Sequence, residues 1–248
     1  MANISRKAWD RYITVLSRLY NAASDDIKEY LRTHPIETRA QRDELIAYAY
    51  ALATKYGEGS AEYAARMYEA IATISKNSIE AAIPAETATY GEVAKTINGC
   101  LKQSTNIDLI GNAVGRLVKQ TGVDTVCRNA IRDGAEWAWV PSGDSCAFCM
   151  MLASNGWQRA SKKALNGDHA EHIHANCDCT YAIRFDGKSN VEGYDPAYYQ
   201  DMFKDAEGST WDEKINYLRR ENYAEHRDEI LTQQREAEEP DAQINEGL

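Results

Sequence analysis

The sequence predicts a mainly α-helical protein, with a helical N-terminal region, a small zinc-stapled α+β unit and a helical, acidic C-terminal segment. Three observations carry this prediction. Apolar residues recur every three or four positions over residues 1–134, the period of a helix that buries one face. The period changes to alternation at residues 136–140 and 180–185, which is typical of β-strands. Beyond residue 187 the helical period returns together with an excess of acidic residues.

The first predicted helix runs from about Ser5 to Arg32. Pro35 follows it, and the residue before a proline avoids the helical conformation. The apolar residues of this helix form one stripe, which fits either the protein's own core or a face that binds another subunit. The stripe comprises Trp9, Ile13, Leu16, Tyr20, Ala23, Ile27 and Tyr30.

Capping boxes predict where two later helices begin, because a Thr followed three positions later by Gln or Glu satisfies the first main-chain amides. The boxes begin at Thr38 and Thr89. We expect Gly57-Glu-Gly59 to end the Thr38 helix, with a third helix running from Ser60 to before Pro84.

Glycines are also expected to end the two helices that follow the Thr89 helix. Gly122 should end the first of them, which carries Val114, and Gly134 should end the second, which carries Val126. Residues 1–134 are therefore predicted to be almost wholly helical.

The α+β unit spans residues 135–187. Strands are predicted at Glu136–Val140, Trp157–Arg159 and Thr180–Phe185, with a short helix from Met150 to Asn155 and a polar loop over residues 161–173. So small a unit has little apolar core of its own, so we expect a bound metal to supply much of its stability.

The C-terminal segment spans residues 188–234 and is followed by a flexible acidic tail at 235–248. Pro196 suits the first position of a helix, and Thr210 opens a further capping box with Glu213. The tail is too polar to bury the apolar area that folding requires.

A cluster of cysteines is the strongest chemical signal in the chain. Four of the six cysteines lie within 34 positions, as Cys146-Ala-Phe-Cys149 and His174-Ala-Asn-Cys177-Asp-Cys179. Two short clusters of soft ligands of this kind can close a tetrahedron around structural zinc. Five donors compete for four places, so one of His174, Cys177 and Cys179 should orient a ligand by hydrogen bonding; which one is left open.

Disulfides and buried thiols are the alternatives to zinc. Residues 1–20 carry charges and no apolar run, so we expect no signal peptide and a reducing compartment, which favours metal over disulfides. Cys100 and Cys127 stand alone among helical residues and are predicted to be buried thiols.

The net charge of −10 comes from the C-terminal end. Residues 1–190 hold 22 basic and 22 acidic side chains, whereas residues 191–248 hold 6 and 16. This distribution argues against a protein that coats DNA. The acidic end is either a solvated tail or an element that docks on a basic protein surface. No apolar run reaches the length of a membrane span, so the protein is expected to be soluble.

The cysteine motifs also carry a family resemblance. The stretch Pro141-Ser-Gly-Asp-Ser-Cys146-Ala-Phe-Cys149 and the later stretch from His174 to Phe185 resemble the minor head proteins of tailed bacteriophages, the Mu F-like (MuF) family. The likeness is most specific over about 50 residues. Family members often have His-Pro-x-Cys-Arg-Cys where this chain has His174-Ala-Asn-Cys177-Asp-Cys179, so its loop is less basic and a nucleic-acid role for it is less well supported.

The resemblance implies a non-enzymatic minor capsid protein of a phage or prophage. Such a protein would lie inside the head near the portal, after assembly in the host cytoplasm, and would assist head assembly and DNA packaging or delivery. The implied partners are the portal protein, the major capsid protein or both, with packaged DNA as a further candidate and no membrane.

The competing interpretation is a zinc-dependent enzyme that acts on nucleic acid. A zinc deaminase would carry His-x-Glu ahead of its Cys-x2-Cys pair. Here His169-Ala-Glu171 follows Cys146 and Cys149, so the order is reversed. Four or five protein donors would also leave zinc no open position for a reacting water. His172, with its neighbours His169 and His174, could suggest a nuclease, although histidines in a polar loop are more often solvated.

Overall fold

The computed structural model describes residues 3–104, 106–142, 145–162, 179–221 and residue 224. Within these ranges the protein is mainly helical, as predicted, with one small antiparallel sheet. The elements in chain order are α1 (Arg6–Thr33), α2 (Arg39–Ile74), α3 (Tyr90–Gln103), α4 (Ile107–Asp133), β1 (Glu136–Val140), α5 (Ala147–Ser154), β2 (Gln158–Arg159), β3 (Thr180–Arg184) and α6 (Pro196–Asp205), followed by helical residues 211–221.

The apolar stripe of α1 belongs to the protein's own core. Six of its seven residues are buried, at 7% exposure or less, and Tyr30 is half-buried. α1 begins after Ser5, whose hydroxyl accepts a hydrogen bond from the Ala8 amide at 3.3 Å. The helix packs along α4 and α2, so its apolar face is covered by neighbours within the same chain.

α2 is one continuous helix, so the predicted break at Gly57-Glu-Gly59 is wrong. A Cβ added to Gly57 would lie 3.0 Å from Thr87 Cγ2 and 3.3 Å from Thr121 Oγ1. This glycine therefore admits close neighbours without ending the helix. The helix that was expected to continue towards Pro84 ends at Ile74, where Lys76 adopts a positive φ of 53°.

α4 is also continuous, so the predicted end at Gly122 is wrong. A Cβ on Gly122 would lie 2.5 Å from Ser60 Oγ on α2. The absence of a side chain at Gly122 therefore lets α4 and α2 pack closely where they cross. Gly134 does end α4, as predicted, because it adopts the left-handed conformation at φ 65° and ψ 26°. The capping boxes at Thr38 and Thr89 are likewise confirmed.

The sheet has the strand order β2-β1-β3, with both pairs antiparallel. β1 pairs with β3 along its full length, from Glu136 opposite Arg184 to Val140 opposite Thr180. All three predicted strands are present, with β2 reduced to two residues. The predicted loop at 161–173 and the predicted tail at 235–248 lie largely or wholly outside the described residues.

The core of the sheet is continuous with that of the helices. One buried cluster joins residues of α1, α2 and α4 to β1, β3 and α5. A second cluster fills the other end of the helical region, between α1, α2, α3 and α4. The small sheet thus gains apolar support from the long helices. The buried members of the first cluster include Trp9, Tyr12, Tyr68, Cys127, Trp137, Trp139, Cys149, Cys179, Tyr181 and Ile183.

Candidate metal centre

The Cys-x2-Cys motif lies at the start of α5. Cys146 is the residue that precedes the helix, and Cys149 lies in its first turn. The predicted short helix therefore begins three residues earlier than Met150, which moves Cys149 from a turn into the helix. A helix N-terminus favours negative charge, so this placement suits a pair of metal-binding sulfurs. Cys146 is half-buried, whereas Cys149 is 1% exposed.

Cys179 lies directly before β3, opposite the loop that leaves β1. Its side chain is fully buried. The Ser142 main-chain amide donates to Cys179 Sγ at 3.5 Å, and Ser145 Oγ lies 3.2 Å from the same sulfur. This proximity follows from the strand register, since Val140 pairs with Thr180, the residue next to Cys179. Cys179 therefore contacts the residue next to Cys146.

The structure tests only part of the predicted zinc site. Cys146, Cys149 and Cys179 are described, while His174 and Cys177 lie outside the described residues, as do His169, Glu171 and His172. Among the residues that the structure does describe, no three His, Cys, Asp or Glu side chains form a group that could hold a metal. The described cysteines have the right chemistry for zinc but do not by themselves form a site, so zinc binding stays a prediction.

α6 and the residues before it hold α5 in place. The Tyr194 hydroxyl donates to the Ala153 carbonyl at 2.7 Å, and the Gln200 side-chain amide donates to the Ser154 carbonyl at 2.9 Å. Both bonds go to carbonyls at the C-terminal end of α5, beyond the reach of the regular hydrogen bonds of the helix; the Ala153 carbonyl also accepts from the Gly156 amide at 3.1 Å. Phe203 of α6 packs with Ala147 at the other end of α5. The C-terminal segment thus fixes the helix that carries Cys149.

The N-terminus reaches the same region. Ile4 and Val191 form an isolated parallel bridge, with main-chain hydrogen bonds of 3.0 and 2.9 Å. Arg6 then donates to the Pro141 carbonyl at 3.5 Å, on the loop that leads to Cys146. Sequence patterns do not reveal this contact, because it joins residues more than 130 positions apart through a main-chain oxygen.

A turn after β3 contains a strongly stabilised carboxylate. Burial works against the charge of Asp186, but hydrogen bonds from Ser189 and the Lys188 amide prevail and lower the Asp186 pKa to about 2.

Nearby, Arg184 pairs with Glu136 at 2.5 Å and stacks over the Trp157 ring. These contacts tie the free end of β3 to β1.

The buried thiols outside the motif are placed as predicted. Cys100 and Cys127 are not in disulfides and are 8% and 0% exposed. Burial raises the pKa of both thiols, so neither favours the reactive, charged form.

The irregular residues 77–89, here called the α2–α3 segment, form a feature that sequence analysis missed. Asn129 of α4 accepts from the Ile83 amide and donates to the Ile83 carbonyl, both at 2.9 Å. Thr125 accepts from the Ala85 amide at 2.9 Å, and Arg132 donates to two carbonyls further up the segment. A cavity of about 390 Å³ lies beside these contacts and is lined in part by Pro84. The sequence signal for these contacts is the presence of Thr125 and Asn129 in α4, where they interrupt the apolar period of the helix.

Comparison with protein families assigns the chain. The profile of a family described as VG15 protein matches residues 3–206. The chain belongs to the VG15 protein family. This is a family of viral proteins from phages, so the bacteriophage origin expected from the cysteine motifs is supported at that level. Comparisons with curated proteins and with solved structures found no match.

The VG15 match spans the helical region, the sheet, α5 and α6. It includes all five predicted zinc ligands and stops before most of the acidic C-terminal end. Within the described part of this VG15 protein, no helix is both long and apolar enough to cross a membrane.

Proposed function

We propose that this VG15 protein is a non-enzymatic minor capsid protein of a tailed phage or prophage. It would lie inside the head near the portal, after assembly in the host cytoplasm, and assist head assembly and DNA packaging or delivery. The observation that carries the proposal is the match of residues 3–206 to a phage protein family. The MuF-like cysteine motifs within that match support the finer assignment to a minor head protein.

In this proposal zinc is structural. Four of the residues Cys146, Cys149, His174, Cys177 and Cys179 would bind one zinc ion and link the start of α5 to the chain before β3. The positions of Cys146 at the N-cap and Cys149 in the first turn of α5 support this, because residues three positions apart at the start of a helix lie close together. Bound zinc would supply a cross-link without an open coordination position, so it would serve folding.

The proposed partners are the portal protein, the major capsid protein or both. The C-terminal segment supports a docking role, because two of its aromatic side chains are exposed among acidic residues. Tyr198 is 61% exposed and Trp211 is 60% exposed. Exposed aromatic residues often anchor protein interfaces, and acidic neighbours favour a basic partner surface. Packaged DNA is a weaker candidate, since the same acidic residues repel phosphate.

The proposal is tested with virions and proheads of the phage that encodes the chain. Cross-linking of intact proheads, followed by mass spectrometry, should join this protein to portal or major capsid peptides. The protein should also resist added protease in closed heads and become sensitive when the heads are opened. Absence of the chain from purified proheads and virions would overturn the proposed role.

A matched pair of variants tests the docking surface. Trp211→Ala should reduce the cross-links to portal or capsid protein, because it removes an exposed aromatic anchor. The Trp211 ring also lies 5.7 Å from the Phe203 ring, so the melting temperature of the variant is measured alongside. Tyr90→Ala is the control, since Tyr90 is 48% exposed but lies at the start of α3, in the helical region. Equal loss of cross-links in both variants would argue against a specific C-terminal surface.

A further inference from the structure

The cavity beside the α2–α3 segment is built from main chain that is bound to α4. Its volume of about 390 Å³ lies within the range of sites that hold small ligands or a few side chains. Asn129 is 2% exposed and binds both the amide and the carbonyl of Ile83, while Thr125, which is also buried, binds the Ala85 amide. These bonds fix the segment on one side of the cavity to the helix on the other. The cavity therefore exists without a ligand to shape it.

The two arginines that line the cavity differ in what they already bind. The Arg132 guanidinium donates to Asp133 and to two carbonyls of the segment, at 2.7–3.1 Å. The side chain of Arg128 is 59% exposed, and its ion pair with Asp124 is 3.8 Å long, beyond hydrogen-bond distance. Within the described ranges Arg128 makes no hydrogen bond. Its N–H groups are therefore available to an anion at the edge of the cavity.

The segment side of the cavity is apolar and open to water. Ile83 is 64% exposed, the highest value among the exposed large apolar residues in the described part of the chain, and Pro84 beside it is exposed as well. A partner that covered these two side chains would remove apolar surface from water. The cavity thus offers an apolar contact next to a cation.

Glu86 limits which anion suits the cavity. It lines the segment side, is exposed, and has no ion pair or hydrogen bond among the residues that the structure describes. An evenly acidic ligand, such as a nucleic-acid backbone, would be repelled by Glu86 and would leave Ile83 uncovered. A peptide with one carboxylate beside an aliphatic side chain can meet Arg128 and cover Ile83 together.

We propose that this cavity docks a segment of another protein, in which an Asp or Glu stands next to an aliphatic residue. The aliphatic side chain enters the cavity against Ile83 and Pro84, and the carboxylate binds Arg128. This docking site belongs to the helical region and uses none of the exposed aromatic residues of the C-terminal segment. It goes beyond the proposed capsid role and does not depend on it.

Peptide selection against the purified full-length chain tests the proposal. The probe is a display library of random peptides of about 12 residues. Enriched peptides should carry Asp or Glu within about two residues of Leu, Ile, Val or Met. The affinity of these peptides, made synthetically, should fall about tenfold in Arg128→Gln, because a charge-assisted hydrogen bond is lost. Ile83→Ser should lower it by a similar factor, because the apolar contact is lost.

Arg116→Gln and Tyr90→Ala are the matched controls. Arg116 is exposed on the same helix as Arg128, Tyr90 is 48% exposed, and neither lines the cavity. Both controls should bind the selected peptides as tightly as wild type does. The melting temperatures of Arg128→Gln and Ile83→Ser should match that of wild type, because the bonds to the segment come from Asn129 and Thr125. Loss of binding in these variants is then not a loss of folding.

Selection of basic peptides, or of no common motif, would overturn the proposal, as would equal binding by all four variants. A photo-reactive amino acid at position 83 of the chain alone decides between the proposed partner and other occupants. Cross-links to a second copy, or to residues 235–248 of the same chain, would assign the cavity to those occupants and overturn the proposal. Absence of the chain from proheads would overturn the capsid role alone, since the peptide experiment uses no phage component.

Discussion

The carbonyl oxygen of Tyr20 lies 2.8 Å from the position that a Cβ on Gly115 would occupy. Where α1 and α4 cross, the main chain of α1 at Tyr20 therefore packs directly against the main chain of α4 at Gly115. Gly115→Ala should lower the free energy of unfolding by about 1–3 kcal/mol, since the obstructing atom is main chain and cannot rotate away. Urea denaturation measures the change.

Gly99→Ala is the matched control for this prediction. Gly99 lies inside α3, and a Cβ there would meet nothing within 4 Å. The substitution should raise the free energy of unfolding by up to about 1 kcal/mol, because alanine restricts the unfolded chain and favours a helix. If both alanine variants gain stability, the close approach of α1 and α4 is wrong.

Asn129 should be required for the order of the α2–α3 segment. Asn129→Ala removes both bonds to the Ile83 main chain and should cost about 1–3 kcal/mol, because two partly buried hydrogen bonds are lost. Hydrogen exchange at the Ile83 amide should accelerate at the same time. Arg128→Ala is the neighbouring control and should change stability by less than about 0.5 kcal/mol, since that side chain is 59% exposed. Unchanged exchange in Asn129→Ala would contradict the prediction.

Zinc should be bound and should stabilise the protein. Elemental analysis of protein purified in reducing buffer should give about one zinc per chain, and Cys146→Ser should lower both the zinc content and the melting temperature. Cys100→Ala should retain the metal, because Cys100 lies in the other core cluster. X-ray absorption should show three or four sulfur neighbours without a bound water. A water ligand would instead favour the enzymatic interpretation.

Asp186 should contribute a stability that depends on pH. Its pKa is about 2 in the folded protein, below the ordinary value of 3.8. The stabilisation is therefore present above pH 3.8 and is lost as the pH falls towards 2. Asp186→Asn should be less stable than wild type at pH 6, and the difference should shrink in acid. Denaturation curves at several pH values measure it.

Asp25→Asn provides the control for the acid series. Asp25 is exposed on α1 and makes no hydrogen bond or ion pair among the described residues. Its stability difference from wild type should stay nearly constant over the same range of pH. A gap for Asp186→Asn that does not narrow in acid would show that the Ser189 contacts do not stabilise the charged carboxylate.

Local signals predicted the starts and the period of the elements well. The capping boxes at Thr38 and Thr89 and the left-handed Gly134 act within one helical turn, so their residues alone determine the outcome. Gly57 and Gly122 were misread because their role depends on Thr87 and Ser60, which approach from other parts of the chain. A glycine that ends a helix and one that admits a neighbour have the same local sequence signal.

The candidate site was predictable in chemistry and only partly in geometry. The sequence indicated the residue types and the Cys-x2-Cys spacing. It could not indicate that Cys179 would meet Ser142 and Ser145, since that contact depends on the register between β1 and β3. Nor could it indicate that Tyr194 and Gln200 would bond to the end of α5.

Side chains of α4 hold the α2–α3 segment through main-chain groups of the segment. The fold of the segment therefore does not depend on which side chains it presents at the surface. Glu80, Ala81 and Ile83 hold their places by amides and carbonyls, while their side chains point to solvent; Ile83 is 64% exposed. Mutations at these three positions can therefore accumulate without disturbing α4. The exposed side chains of the α2–α3 segment can therefore change to suit a different binding partner, while Asn129 and Thr125, which hold its main chain, must stay the same.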